Sequence, residues 1–201
     1  MGKNFKLLSK KKEIISNYNS SAEFYDKRYR AIQEEKYHII LENNDLIEKR
    51  MLDIGCGTGL LFEYLLNSKE NHHIQKSKYI AVDISWNMLL EFKKKLLKFK
   101  NKPNVLCVLS DIENLPFRNN SFSLIFSLTS FQNLPSILDG IRESLRVSTN
   151  ESIFKFSILR KKLDLDQVKS LLEPFVRALK VINIDYIEDI IIQGVMRKES
   201  T

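Results

Sequence analysis

Short apolar runs alternate along the chain with segments whose apolar residues recur at helical spacing. Runs long enough for buried strands occur at 51–54, 79–82, 105–109, 123–128, 152–159, 181–186 and 189–196. Segments with helical spacing lie at 60–66, 84–98, 135–147 and 163–180, and the last is expected to bend or to start afresh at Pro174. Strands that alternate with helices predict a parallel sheet with helices on both faces. Because the last two strands follow each other directly, we expect them to pair.

The first 49 residues lack this alternation. Residues 1–15 are rich in lysine, and we expect them to form a basic, flexible segment. Residues 16–49 contain a serine pair followed by Glu23, an order typical of a helix start, and a second helix is predicted over 31–48. This segment therefore predicts cap helices at the front of a single domain that spans 16–201, with no second domain and no internal repeat.

Three glycines follow the first strand at alternate positions, Gly55, Gly57 and Gly59. Glycine permits a turn with positive φ and lets a ligand approach the backbone, and the helix start behind it offers unpaired N–H groups. A dinucleotide fingerprint requires a small residue at position 60, where Leu60 stands. Asp53, two residues before the turn, would repel a pyrophosphate. The turn therefore favours a ligand that carries a cationic amine or sulfonium.

Acidic residues end two of the following strands. Asp83 follows the strand at 79–82, and Asp111 comes two residues after the strand at 105–109. The carboxyl ends of parallel strands meet at one edge of a sheet, which is where α/β proteins bind ligands. A carboxylate presents two acceptor oxygens, so Asp83 can accept hydrogen bonds from the vicinal hydroxyls of a ribose. We therefore expect Asp53, Asp83 and Asp111 to converge on a nucleoside.

These residues resemble the motifs of a known family. Residues 53–59, Asp-Ile-Gly-Cys-Gly-Thr-Gly, look like motif I of the class I S-adenosylmethionine (SAM)-dependent methyltransferases, and Asp83 matches the acid of motif II. Residues 111–125 resemble the family segment D-x-x-x-LPF-x-x-x-SFD-x-I, with Ser123 in place of the usual Asp. Residues 18–26 resemble a Tyr-Asp segment that folds over the cofactor. The resemblance covers about residues 16–197 and is to the type 11, or UbiE-like, group.

The resemblance implies a fold, a cofactor and a reaction. The implied fold is α/β, a Rossmann-like, mostly parallel seven-stranded sheet with helices on both faces and a C-terminal antiparallel strand pair. The implied cofactor is SAM, and the implied enzyme is a SAM-dependent methyltransferase. Asp111 would accept from the adenine amine. The implied cofactor-binding residues are Asp53, Gly55, Cys56, Gly57, Gly59, Asp83, Ile84, Asp111, Ile112, Ser127 and Tyr25.

Catalytic and metal-binding residues are harder to assign. The tip of the strand at 123–128 shows no histidine paired with an acid and no Asn-Pro-Pro-Tyr motif, so no catalytic base is named. Gln132 and Asn133 could either orient an acceptor or cap the loop. Cys56 and Cys107 show no metal-ligand spacing, and no zinc site is readable. Both are expected as reduced thiols, which fits a cytoplasmic protein.

The charge balance bears on the methyl acceptor. Lys and Arg number 32 against 25 Asp and Glu, a formal net charge of +7. An excess of positive charge favours RNA or protein as the acceptor. A small-molecule, quinone-like methyltransferase and a non-catalytic SAM-binding subunit are the alternatives. Some methyltransferases of this type work with a small activating subunit. No apolar run reaches the length of a membrane span.

Overall fold

The computed structural model describes residues 2–42, 50–68, 71–99 and 103–198, and a seven-stranded sheet forms the centre of this part of the chain. The strands are β1 (Arg50–Ile54), β2 (Lys78–Asp83), β3 (Val105–Leu109), β4 (Phe122–Leu128), β5 (Ser148–Leu159), β6 (Val176–Asn183) and β7 (Asp189–Met196). Their order is β3-β2-β1-β4-β5-β7-β6. The first five run parallel, and β7 lies antiparallel to β5 and β6. The predicted fold class is confirmed.

Helices pack on both faces of the sheet. They are α1 (Gly2–Leu41), α2 (Leu60–Asn67), α3 (Asn71–Lys76), α4 (Trp86–Leu96), α5 (Ile137–Val147) and α6 (Leu165–Leu172). One core contains buried residues of α1 to α4, and the other contains buried residues of α5 and α6. Met51 of β1 belongs to the first core, whereas Leu52 and Ile54 belong to the second. This alternation follows from the two-residue period of a strand, which sends successive side chains to opposite faces.

The N-terminal segment differs from the expectation. One helix, α1, covers residues 2–41, where a flexible basic segment and separate cap helices are expected from the sequence. The segment contains no proline, and its only glycine is Gly2, so nothing in it breaks a helix. The hydroxyls of Ser20 and Ser21 donate to the carbonyl of Asn17 at 2.9 Å instead of starting a new helix. Residues 43–49, the end of the predicted cap, lie outside the described residues.

The C-terminal third also differs from the expectation. The predicted helix at 163–180 ends early, because α6 stops at Leu172 and a 3₁₀ turn, Glu173–Phe175, follows. Pro174 in this turn has no N–H to donate, which stops the helix. Strand β6 then begins at Val176 and pairs with β7 as far as Asn183. None of the helices in the described ranges is long and apolar enough to cross a membrane.

Candidate functional site

A cavity of about 650 Å³ lies between α1 and the carboxyl ends of the central parallel strands. Of the residues predicted from the sequence to bind a cofactor, it brings together Tyr25, Gly55, Gly57, Asp83, Ile84, Asp111 and Ile112. We call it the main cavity. Its position at this edge of the sheet follows from the parallel order of the strands.

The glycine turn at the floor of the main cavity depends on two close approaches. Gly55 has φ +73°, and a Cβ there would lie 2.4 Å from Cβ of Ser130. Gly59 has φ +78° at the start of α2, and a Cβ there would lie 2.3 Å from the ring of Phe92. An added side chain would therefore meet both steric and backbone strain at each position. Gly59 shapes the turn from behind and does not line the main cavity.

Asp83 joins the glycine turn to the start of α4. One carboxylate oxygen accepts from the N–H of Gly57 at 2.9 Å, and the other accepts from the N–H of Ser85 at 2.8 Å. Ser85 in turn caps α4, because its hydroxyl accepts from the N–H of Met88. Burial raises the pKa of Asp83, against the opposing effect of these backbone hydrogen bonds. No ion pair joins Asp83 to another residue in the described ranges, so its partners there are neutral.

Asp53 lies apart from the other two acids. Its carboxylate accepts a hydrogen bond from the hydroxyl of Tyr79 at 2.6 Å, and burial raises its pKa to about 7. It lines a smaller cavity of about 330 Å³, which shares Tyr25, Gly55 and Gly57 with the main cavity. The expected convergence of three acids on one cavity therefore holds for two of them. The strand register explains the difference, because Asp53 pairs with Ala81, two residues before Asp83, and so lies further from the carboxyl edge on the same face of the sheet.

Asp111 lines the main cavity and not the smaller one. Its carboxylate accepts from the N–H of Glu113 at 3.0 Å, which caps a short 3₁₀ turn. The ammonium of Lys11, from α1, forms ion pairs with both Asp111 and Glu113. Ile112 is buried beside them and lines the cavity. Asp111 thus belongs to the main cavity but already has a cationic partner.

Two further predicted residues do not reach the main cavity. Cys56 lines only the smaller cavity, and burial raises the pKa of its thiol well above the usual range. Ser127 is fully buried, with its hydroxyl 2.6 Å from that of Ser130. Ser130 donates to the carbonyl of Ile54 at 3.0 Å and does line the main cavity. Ser130, just after β4, therefore lines the main cavity where Ser127 was expected to do so.

Thr129, directly after β4, connects the main cavity to a wider one. It has φ +56°, an unusual conformation for a β-branched residue, and its N–H donates to the carbonyl of Ser157 at 2.9 Å. The wider cavity, of about 1890 Å³, is lined by Thr129 and by both Gln132 and Asn133. We call it the outer cavity. Its walls also include Tyr18, Tyr25, Tyr29, Arg28, Lys161 and Tyr186.

A buried ion pair lies at the base of the outer cavity. The ammonium of Lys36, from α1, is 3.0 Å from a carboxylate oxygen of Asp189 and also contacts the hydroxyl of Thr129. The same oxygen accepts from the hydroxyls of Thr129 and Ser157, each at 2.8 Å. Burial lowers the pKa of Lys36, and the neighbouring Asp189 opposes this shift. This cluster fixes the position of Thr129 relative to α1, β5 and β7.

Several residues that line the main cavity were not predicted from the sequence. They are Lys11, Ile14, Met88, Leu128, Thr129, Ser130, Leu134 and Pro135. Thr129 and Ser130 directly follow β4, which ends at the cavity edge of the sheet, and this position in the sequence could have identified them as lining residues. Lys11 stands in a run of three lysines, Lys10 to Lys12, which nothing in the sequence distinguishes from one another. The main cavity is therefore partly built from a segment without a motif.

Comparisons with known proteins agree that this chain is similar to methyltransferases. A family model described as a methyltransferase domain matches residues 52–156, just over half of the chain. The malonyl-[acyl-carrier protein] O-methyltransferase of Halorhodospira halophila is 29% identical over 147 residues, which cover 72% of this chain and 47% of that protein. The chain spans about half the length of the curated relatives it matches.

Solved structures show the same fold. Magnesium protoporphyrin IX methyltransferase of Synechocystis, solved with bound SAM, superposes with a TM-score of 0.70 at 16% identity, over 94% of this chain and 97% of that one. A complex between the Haloferax volcanii Trm112 methyltransferase activator and a methyltransferase gives a TM-score of 0.66 at 14% identity, over 90% and 98%. At these identities the likeness is one of fold.

Proposed function

The chain belongs to the methyltransferase domain family, and from this premise we propose that it binds SAM in the main cavity and transfers the methyl group to an acceptor. The comparisons agree with the predicted enzyme class and cofactor. The observation that carries the proposal is the placement of Asp83 and Asp111 in one cavity beside the Gly55–Gly57 turn. The contacts that individual residues make with SAM are also proposals.

The buried acids on either side of the glycine turn fit the charge of SAM. Asp53 and Asp83 are buried, and their hydrogen-bond partners in the described ranges are neutral groups. Burying a carboxylate without a counter-ion is unfavourable, which is why burial raises both pKa values. A cationic ligand in the adjacent space would offset that cost, and a pyrophosphate would increase it. SAM carries a positive amine and sulfonium and no phosphate.

Each residue has a defined part in this proposal. Bound SAM supplies a methyl group already activated by the sulfonium. Asp83 accepts from the ribose hydroxyls, and Asp111 with the N–H of Ile112 holds the adenine. Thr129 lies where the main cavity opens into the outer cavity, which is where an acceptor would meet the methyl group. Holding a nucleophilic acceptor in line can suffice, so no general base is assigned.

We favour a small acceptor group over an RNA. The outer cavity reaches Thr129 between α1 and the strand tips, and such a space admits a small molecule or a group on the end of a carrier. The malonyl-[acyl-carrier protein] O-methyltransferase among the relatives acts on a group of that kind. The formal net charge of +7 favours the alternative, which is RNA or protein as the acceptor. A small activating subunit also remains a proposal, prompted by the fold shared with the Haloferax methyltransferase.

The proposal is tested by isothermal titration with SAM, with its demethylated product S-adenosylhomocysteine (SAH) and with NAD. We expect saturable heat with SAM and SAH and none with NAD. Heat with NAD alone would refute the cofactor assignment. Binding of SAM without transfer of its labelled methyl group into any fraction of a cell extract would favour the non-catalytic reading.

Replacement of Asp83 by Asn tests the site itself. One acceptor oxygen and the negative charge are lost, and a hydrogen bond to a charged group contributes roughly 1.5–3 kcal/mol. SAM affinity should therefore fall roughly tenfold to a hundredfold. Asp185→Asn, an exposed position, is the matched control and should bind SAM like the wild type. If the affinity of Asp83→Asn is unchanged while the protein remains folded by circular dichroism, Asp83 is not in the site.

A further inference from the structure

The first half of α1 forms the roof of the main cavity. Lys11, Ile14 and Tyr18 line the cavity from this side. The second half of α1 is anchored in the protein core, because Tyr37 and Ile40 are buried there. In contrast, none of the side chains from residue 8 to residue 21 is buried, and Leu8 is 60% exposed. Over residues 8–21 the roof is therefore attached without a buried apolar side chain of its own.

Polar contacts attach this half of α1 to the rest of the protein instead. The ammonium of Lys10 donates to the carbonyl of Leu134 at 2.7 Å, and the amide of Asn133 donates to the hydroxyl of Tyr18 at 2.7 Å. The side-chain oxygen of Asn19 accepts from the hydroxyl of Ser85 at 2.7 Å. Such contacts between partly exposed groups add little net stability each, and segments held in this way open locally while the rest stays folded.

Lys11 adds two ion pairs to the contacts that attach the first half of α1. The ammonium bridges Asp111 and Glu113, and the Lys11 side chain is 24% exposed. Glu113 is held in turn, since its other oxygen accepts from the N–H of Ser136 at 3.0 Å. A carboxylate has acceptor capacity for more than two donors, so Asp111 can accept from an adenine amine while Lys11 stays in place. Glu113 keeps the ammonium at this end of the cavity in either case.

We propose that Lys11 is a cofactor-binding residue, and that its ion pairs with Asp111 and Glu113 close α1 over the adenine end of the cofactor. The inference rests on the proposed function, because it takes the occupant to be SAM. The cofactor leaves when these ion pairs break and the first half of α1 lifts. Their strength sets the rate of exchange, and dissolved salt weakens them because they are partly exposed.

The test is the rate at which bound radiolabelled SAH dissociates into an excess of unlabelled SAH. Lys11→Met removes the charge and keeps most of the apolar stem, whereas Lys11→Arg keeps the charge. Lys12→Met is the matched control, since Lys12 is the exposed neighbour on the same helix. At low salt we expect dissociation from Lys11→Met to be about five-fold faster than from the wild type. Lys11→Arg and Lys12→Met should dissociate close to the wild-type rate.

Salt dependence separates an ionic closure from a general loosening of the helix. Dissociation from the wild type should accelerate between 50 and 500 mM NaCl, roughly towards the rate of Lys11→Met, whose own rate should change little. Equal rates for the wild type and Lys11→Met at low salt would overturn the proposal, as would dissociation from Lys12→Met that is as fast at low salt as dissociation from Lys11→Met. A wild-type protein that binds neither SAM nor SAH would overturn the proposed function as well. That result comes from the wild type alone, so it is distinct from a failure of the Lys11 proposal.

Discussion

Burial decides the charge of the two acids nearest the glycine turn. Burial raises the pKa of Asp53 to about 7, although the hydrogen bond from Tyr79 opposes the shift. Asp83 is shifted in the same direction for the same reason. Below about pH 7 the folded protein therefore holds a proton on Asp53 that a solvent-exposed carboxyl would have lost. A ligand with a positive charge would favour release of that proton and would bind more tightly as the pH rises.

The pKa of Asp53 predicts how stability depends on pH. An Asp in the unfolded chain has a pKa of about 3.9, so between about pH 4 and pH 7 only the folded state keeps this proton. The free energy of unfolding therefore falls as the pH rises through that window. In urea unfolding without cofactor, the stability of the wild type relative to Asp53→Asn should fall by at most about 4 kcal/mol from pH 4 to pH 8.

The exposed replacement Asp185→Asn serves as the control for this measurement, and its stability should follow the wild type across the pH range. Parallel stability curves for the wild type and Asp53→Asn would show that Asp53 keeps an ordinary pKa in the folded state. Of the two acids, only Asp83 would then favour a cationic ligand beside the glycine turn.

Among the secondary-structure elements, α1 is the one with two different halves. Its second half is joined to the end of the sheet by the buried pair of Lys36 and Asp189, and its first half is held by partly exposed polar contacts. Removing one partner of a buried ion pair leaves an uncompensated charge, which costs far more than losing a surface pair. The two halves should therefore respond very differently to the loss of a lysine.

Lys36→Met tests this contrast by urea unfolding. The variant should lose roughly 3–5 kcal/mol of unfolding free energy, because the carboxylate of Asp189 stays buried without its cation. Adding Asp189→Asn should restore part of the loss, since no unpaired charge then remains. Lys27→Met, at an exposed position of the same helix, should change stability little. A loss in Lys36→Met no larger than in Lys27→Met would show that the pair is not formed in solution.

At the scale of the whole molecule, the positive charges of the described residues are not concentrated at the proposed active site. Some basic side chains are paired, as Lys95 is with Asp26 and Arg146 is with Glu143. Arg146 also lines a groove at the opposite end of the sheet, beside the last residues of β7 and the start of β5, together with Arg142, Arg197 and Lys198. A net charge of +7 therefore does not by itself identify an RNA acceptor.

Labelled methyl transfer into a fractionated cell extract distinguishes the acceptor classes. We expect the label in small molecules or on a carrier, unaffected by ribonuclease. Transfer should also fall less than about tenfold between 50 and 200 mM NaCl, whereas a protein that contacts several phosphates loses roughly a thousandfold or more in affinity. Label that ribonuclease releases, with a steep loss on adding salt, would establish RNA as the acceptor.

The sequence by itself determined the features that depend on near neighbours along the chain. Apolar runs specify strands, alternate glycines specify the turn, and Asp83 stands at a strand end, so the sheet, the family and much of the lining of the main cavity were predictable. Tertiary structure decided what depends on distant residues. Lys11 meets Asp111 across 100 positions and Lys36 meets Asp189 across 153, and no local pattern encodes such contacts. They exist because the packing of a long helix on the sheet brings them together.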